Sequence, residues 1–310
     1  MSGETMALAY LSLAKGITYL GFFGLVGAVA VRLIVVPICC RRGTIVCPLS
    51  RFVDQRLRSV ALVAAALLTC AAAARVFAQT YAVFGLDEPV TIELMRLVAL
   101  ETRWGSQWQF QLLATLCAIA AAVLMLVWAR AGWGLMAAAV TAVAITLPMT
   151  GHAMSHAGGP GLPWILQAGH GLAGGLWLGT LATVVATVRS SQLRPSDDGQ
   201  LTAALVNVFS PLALGAVGTV LVTGVATAAL YMGHWSQLWR TSYGLTLVGK
   251  VVLMLATGAV GAYNWKRLRP RLGTASGSAT LIMAARFELA LACGVLALTA
   301  ILVHLPMPHE

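Results

Sequence analysis

The sequence predicts an all-α, polytopic integral membrane protein with about eight transmembrane helices. Hydrophobic residues make up 59% of the 310 residues and charged residues only 10%, and the mean hydropathy is +0.85. Burial inside an aqueous globule does not explain so apolar a chain. Apolar stretches of the ~20 residues needed to cross a bilayer recur between short polar breaks. Helices that span a membrane are therefore expected throughout.

Eight such stretches follow one another along the chain. We predict helices over Ala7 to Ile38, Val60 to Val83, Trp108 to Arg130, Trp133 to Thr150, Leu162 to Val188, Ala204 to Met232, Tyr243 to Trp265 and Ala279 to His304. The longest breaks between them run to about 20 residues, which leaves no room for a separate soluble domain. The prediction is one transmembrane helical domain over residues 1–310.

The first stretch is predicted to remain a transmembrane helix rather than a secretory signal. Ala28-Val29-Ala30 resembles a cleavage site. However, a signal needs a positively charged segment before a shorter apolar core, and the residues before this core carry Glu4 and no lysine or arginine.

The positive charges mark one side of the predicted membrane. The formal net charge is +10, and most cations follow the odd-numbered helices. They are Arg41, Arg42, Arg51, Arg56, Arg58, Arg130, Arg189, Arg194, Lys266, Arg267, Arg269 and Arg271. Because cytoplasmic loops carry an excess of lysine and arginine, both termini are predicted to face the periplasm of a bacterial inner membrane. The charge therefore indicates topology and the lipid bilayer as partner, and we expect no nucleic-acid partner.

Histidines collect on the opposite, outward side. All six lie there, at His152, His156, His170, His234, His304 and His309. Imidazole is the commonest metal ligand in proteins. Methionines accompany the histidines at the same level, and a mixture of thioether and imidazole suits copper in either oxidation state better than zinc. The predicted metal ligands are His152, His156, His170, His234, His304, Met149 and Met154.

His170 is the strongest candidate of this set. It is predicted about two turns inside the fifth helix, where a polar residue is rare unless it binds something or lines a pathway. Gly169, Gly171, Gly174 and Gly175 leave space around it. A metal ligand, a cofactor ligand and a buried hydrogen bond all remain open for this residue.

Three further residues in the predicted helices carry charge. Lys15 is expected to extend its ammonium to the headgroups. Lys250 would repel copper, which argues against its being a ligand. Glu288 is expected to lie near Asn264 and Lys266 at the inner side, in a polar cluster with a structural role.

Three cysteines, Cys39, Cys40 and Cys47, follow the first helix at its predicted cytoplasmic end. Thiolates are strong Cu(I) ligands, so these cysteines are a candidate exit site for imported metal. Small cysteines near an interface are also common packing residues, and that interpretation stays open.

Several short motifs in the second half of the chain resemble the CopD family of bacterial copper-resistance and copper-uptake membrane proteins, of which PcoD is another member. The resemblance covers about residues 145–308, and the first three helices match in hydropathy alone. The motifs are Gly151-His152-Ala153, His170 with Trp177-Leu178-Gly179, Phe209-Ser210-Pro211-Leu212-Ala213, Thr223-Gly224, Thr241-Ser242-Tyr243-Gly244 with Lys250, Asn264, Pro270, Arg286-Phe287-Glu288 and Pro306.

This resemblance implies copper passage across the inner membrane, import from the periplasm, and a periplasmic copper-binding partner of the CopC kind. It implies a role in copper homeostasis and resistance rather than an enzyme. No GxxxxGK[ST] loop or DKTG motif is present in the sequence, which disfavours ATP-driven pumping.

Two alternatives remain at this point. A b-type cytochrome would use His170 as an axial haem ligand, with a second histidine from a helix end. A membrane anchor or sensor would hold a periplasmic copper protein without moving copper.

Overall fold

The computed structural model describes residues 3–45, 47–151, 161–191, 199–232 and 234–306. All regular secondary structure in these residues is helical, which confirms the predicted fold class. Eight helices among them are long and apolar enough to cross a membrane. They are α1 Gly3–Arg41, α2 Ser50–Phe84, α3 Arg103–Val127, α4 Ala129–Thr150, α5 Leu162–Arg189, α6 Gln200–Tyr231, α7 Ser242–Arg271 and α8 Ser276–Leu302.

We name the two ends of this bundle by the residues found there. The histidine end is the end at which α1, α5 and α7 begin, with His170, His234 and His304 in or near it. The arginine end is the end at which those helices finish, at Arg41, Arg189 and Arg271. That the histidine end faces the periplasm remains a prediction.

The helix that contains α2 begins at Cys47, well before the predicted Val60, because the charged residues in between are also helical. Asp54 in its first turns accepts from Arg32 of α1 at 2.6 Å and from Arg58, one turn further along α2, at 2.7 Å. Arg58 also donates to the Met125 carbonyl at 2.9 Å. Hydropathy marks only the apolar part of a helix, whereas these ion pairs support its polar extension.

Three helix starts share one capping pattern. The side chains of Thr102, Thr241 and Thr274 each accept a hydrogen bond from the N–H of a glycine three residues on, at 2.9, 3.0 and 3.1 Å. These caps begin α3 and α7 and lead into α8. A threonine oxygen satisfies an N–H that the helix itself leaves unpaired. The chain thereby turns sharply back into the bundle after each polar loop.

Three spanning helices contain a π-helical turn, at Val31–Val35 in α1, Gly175–Gly179 in α5 and Asn264–Leu268 in α7. Such turns often lie at functional sites. At the α5 turn a Cβ on Gly27 of α1 would overlap the Gly179 carbonyl oxygen. The backbones of α1 and α5 are therefore in direct contact there.

Helix α1 lies at the centre of the bundle and packs on α2, α4, α5 and α8. Its Phe22, Leu25 and Val31 are fully buried. Helix α6 packs on α5, and α7 packs on α8. Over the described residues α6 and α7 have little direct contact, and side chains from both line a cavity between them.

Two cations are buried in the N-terminal half of the bundle. Lys15 donates to the Leu147 carbonyl at 3.2 Å and lies over the Tyr19 ring at 5.7 Å. Arg75 donates to the side-chain oxygen of Gln111. Their relative exposures are 1% and 4%. The expectation that Lys15 reaches the headgroups is therefore wrong, because a carbonyl oxygen and an aromatic face are available to it inside the bundle.

Candidate functional site

A cavity of about 490 Å³ opens between α1, α5, α6, α7 and α8 toward the histidine end. Most of its wall is apolar. The polar side chains in that wall include Lys15, Tyr19, His170, Tyr231, Tyr243 and Lys250. Among the described residues no carboxylate lines it. We call this space the outer cavity.

His170 is held in this cavity by helix α6. Its Nδ1 lies 2.9 Å from the Thr223 hydroxyl, which itself donates to the Thr219 carbonyl at 2.6 Å. Because that hydroxyl proton is already engaged, the network assigns the imidazole proton to Nδ1, with Thr223 as its acceptor. The lone pair of Nε2 is then available to a ligand. A Cβ on Gly224 would lie 3.4 Å from the His170 ring, so the glycine allows this close approach.

Three of the polar groups lie at one level of the bundle. His170, Thr223 and Lys250 are each eight residues from the histidine-end terminus of their helix. At 1.5 Å per residue this places them roughly 12 Å deep. Lys250 lines the same cavity, and the described part of the chain offers it no hydrogen bond or ion pair. The imidazole and the ammonium therefore share one space.

A polar rim connects α5 to its neighbours above His170. Gln167 donates to the Tyr231 hydroxyl at 2.9 Å, and the Trp164 indole donates to the Ile145 carbonyl at 3.0 Å. Neither Gln167 nor Tyr231 is among the site residues predicted from the sequence. The spacing of three residues between Gln167 and His170 puts both on one helical face and could have identified the first of them.

The other predicted metal ligands do not join His170 in the described residues. His234 is exposed after α6, and Met149 is half-buried at the end of α4. The Nδ1 of His304 lies 2.9 Å from the Ala300 carbonyl. None of these three lines the outer cavity.

His152, Met154 and His156 lie outside the described residues. Within those residues no group of three or more His, Cys, Asp or Glu side chains is placed to hold a metal ion. The full ligand set therefore remains a prediction.

A second cavity of about 290 Å³ lies between α5, α6, α7 and α8 toward the arginine end, and we call it the inner cavity. Trp177, on the π-helical turn of α5, lines both cavities. Asn264 and Glu288 also line the inner cavity, and Asn264 Nδ2 donates to Glu288 Oε2 at 3.0 Å. The predicted neighbourhood of Asn264 and Glu288 is confirmed. The two cavities follow one another along the bundle, with one indole between them.

The described cysteines at the arginine end do not converge. The Cys39 thiol is buried and contacts the Ala204 carbonyl of α6 at 3.4 Å, whereas Cys40 is exposed. Neighbouring residues on a helix point in different directions, so these two thiols do not face one site. The Cys47 side chain lies outside the described part of the chain.

Two family profiles match the sequence. The profile described as "Copper resistance protein D-like, N-terminal domain" matches residues 6–162, about half of the chain. A second, described as "Copper resistance protein D", matches residues 203–302. The chain belongs to the copper resistance protein D family.

The two matches extend the resemblance into the N-terminal half of the chain, where the motifs alone showed none. Residues 163–202 lie between them, so α5 with His170 and Trp177 falls almost wholly outside both. Thr223, Lys250, Asn264 and Glu288 fall inside the second match.

One relative is the copper transport protein CutJ of Bacillus subtilis (strain 168). It is 31% identical over 144 residues, which cover 46% of this chain and 25% of that protein. The match thus spans about a quarter of the relative's length. No solved structure matches the chain significantly.

Proposed function

We propose that this protein carries copper across the bacterial inner membrane, inward from the periplasm. The observation that carries the proposal is that His170, whose Nδ1 lies 2.9 Å from the Thr223 hydroxyl, lines a cavity that opens toward the histidine end. Membership of a copper-resistance family and the name of the CutJ relative support copper as the cargo.

The proposed route runs through the two cavities in turn. Copper enters the outer cavity, meets His170, passes Trp177 and reaches the inner cavity. The shared lining residue supports this order, because one side chain forms the boundary of both spaces. Imidazole is a suitable ligand for copper in either oxidation state.

The charge of Lys250 affects how tightly His170 can bind copper. A cation beside the imidazole weakens the binding of a metal cation. Transport requires that the cargo leave as well as bind, so a site that holds it weakly serves conduction better than a tight one. The lysine therefore opposes trapping of copper at His170.

Copper is delivered, in this proposal, by a periplasmic copper-binding protein of the CopC kind. The outward histidines and methionines receive the metal before it reaches His170. This part of the proposal rests on the predicted sidedness and on the ligand set His152, His156, His234, His304, Met149 and Met154.

The test is copper uptake into proteoliposomes that contain purified protein, with copper supplied as Cu(I) and, separately, as Cu(II). We expect His170→Ala to lower uptake about tenfold or more, because the cavity loses its nitrogen donor. Glu101→Ala is the control, since that exposed residue lines neither cavity, and it should transport normally. Equal uptake by wild type and His170→Ala would refute the proposal.

A haem protein is the second candidate function. The Nε2 atom of His170 could serve as an axial haem ligand. Lys15 and Lys250 line the same cavity and could pair with the two propionate carboxylates of a haem. Against it, no other described histidine lines the outer cavity. A visible spectrum of purified protein decides this point, because a b-type cytochrome must show a Soret band.

Copper binding without uptake would instead support an anchor or sensor.

A further inference from the structure

The inner cavity contains a buried carboxylate without a cationic partner. Glu288, in the middle of α8, is only 4% exposed and lines this cavity. The other ionisable side chains that line it in the described residues are Lys266 and Arg269. Neither forms an ion pair with Glu288, and Arg269 Nε donates instead to Asn207 at 2.7 Å. A buried charge left unpaired is strongly unfavourable, so a positive charge from outside these side chains would stabilise this carboxylate.

Asn264 contributes a second oxygen to the same place. Its Nδ2 donates to Glu288 Oε2 at 3.0 Å. With Glu288 ionised, this bond fixes the amide orientation, because the reverse orientation would oppose two oxygens. The Oδ1 atom is buried and without a hydrogen-bond partner, in a residue only 7% exposed. A buried, unpaired carbonyl oxygen is uncommon in folded proteins. It indicates that something absent from the chain itself satisfies this atom.

The surroundings keep space for a small ligand at the carboxylate. A Cβ on Gly261 would lie 3.0 Å from Glu288 Oε1, so any larger residue would crowd that oxygen. Trp177, on the opposite helix, lines the same cavity as Glu288. That cavity measures about 290 Å³. The carboxylate is thus oriented by Asn264 while part of it faces open space.

Carboxylate and amide oxygens are hard donors, which prefer hard cations over soft Cu(I). The site carries one negative charge, so a single positive charge neutralises it. We propose that Glu288 and Asn264 form a binding site for a hard monovalent cation, either Na⁺ or a proton. A proton would add to a Glu288 oxygen and give the neutral acid, whereas Na⁺ would take oxygens of both residues.

This site lies between Trp177 and the arginine end, on the route proposed for copper. A bound cation there would exchange with the copper that passes, and so couple its movement to an ion gradient. The coupling rests on the proposed function. The binding of the cation does not.

The test measures cation binding to purified full-length protein in the absence of copper. Trp177 is a built-in reporter, because its indole lines the same cavity as Glu288, and the signal it contributes is identified by comparison with Trp177→Phe. Tryptophan fluorescence is followed as Na⁺ replaces choline at constant pH and ionic strength. It is then followed as pH changes in sodium-free buffer. Thermal unfolding under the same conditions gives a second readout, since a ligand of the folded state raises stability.

A saturable change with Na⁺ at fixed pH identifies sodium, and a change with pH that is independent of Na⁺ identifies the proton. In either case Glu288→Gln should abolish the change. Asn264→Ala, which keeps the carboxylate, should weaken the apparent affinity about tenfold. Glu101→Gln is the control: it removes an exposed carboxylate that does not line the inner cavity, and it should behave as wild type.

Two results would refute the proposed cation site. One is a wild-type protein that responds to neither cation. The other is a response that persists unchanged in both Glu288→Gln and Asn264→Ala. Copper uptake is measured separately, so a protein that binds the cation but moves no copper would contradict the proposed function and leave the cation site standing.

Discussion

The Thr223 hydroxyl determines which imidazole nitrogen of His170 carries the proton. It donates to the Thr219 carbonyl and so can only accept from Nδ1. A partner of this kind fixes the tautomer and the ring orientation of a metal-binding histidine. The threonine therefore acts on any ligand of His170 without touching it.

Substitution of Thr223 tests this role directly. We expect Thr223→Val to weaken copper binding about tenfold, because the imidazole loses its orienting partner while the nitrogen donor remains. Thr223→Ser should restore binding. Isothermal titration of purified protein with copper measures the effect.

Thr227 provides a matched control one turn further along α6. Its hydroxyl is buried without a hydrogen-bond partner, and the residue lines the same cavity. Thr227→Val should leave copper affinity unchanged and should not reduce stability. Equal loss of affinity in Thr223→Val and Thr227→Val would show that cavity shape, and not the hydrogen bond to His170, sets the affinity.

At the level of helices, the contact between α1 and α5 positions the boundary between the two cavities. The π-helical turn Gly175–Gly179 carries Trp177, and Gly179 lies directly against Gly27 of α1. The inserted residue of a π turn changes the direction of the side chains around it. Close backbone contact then holds this turn, and with it the indole, against the central helix.

Gly27→Ala should disturb this contact. The added methyl group would overlap the Gly179 carbonyl, so α1 and α5 must separate, and overpacking of this kind lowers the free energy of unfolding by about 1 to 3 kcal/mol. Thermal or denaturant unfolding in detergent measures the change. Gly134→Ala is the control, since a Cβ there meets nothing within 4 Å, and it should be neutral or slightly stabilising.

The apolar length of each helix predicted the eight spans, because hydropathy reports the membrane-embedded part of a chain. The π turns could not be predicted in this way. Glycine recurs on α5, but periodicity does not show that one turn there contains an extra residue. The extension of α2 to Ser50 was also missed, because it depends on the pairing of Asp54 with an arginine of another helix.

The candidate site was predicted in part. His170 stood out because a histidine within an apolar stretch is rare. Its hydrogen bond to Thr223 joins residues 53 apart in the sequence. Lys15 contacts Leu147, 132 residues away, and Glu288 contacts Asn264, 24 residues away. Side-chain chemistry identified which residues are unusual, whereas only packing determined their partners.

For the molecule as a whole, the sidedness can be tested with a native residue. Cys40 is exposed at the arginine end of α1. The arginine-rich loops predict that this end is cytoplasmic. In a Cys47→Ser background, a membrane-impermeant maleimide should label inverted vesicles but not intact spheroplasts.

Cys40→Ser is the control and should abolish that labelling. Labelling of Cys40 in spheroplasts would reverse the assignment of both ends. Copper would then have to meet the inner cavity first, and the histidine end would face the cytoplasm.

The indole of Trp177 lies between the outer cavity, toward the histidine end, and the inner cavity, toward the arginine end. Where water fills these spaces, the electrical resistance of the protein is concentrated in the thin layer around that ring. The transmembrane potential then drops mainly across this layer. An ion that steps past the ring would gain or lose nearly the full electrical energy, about 2.3 kcal/mol per elementary charge at 100 mV, within the thickness of one side chain.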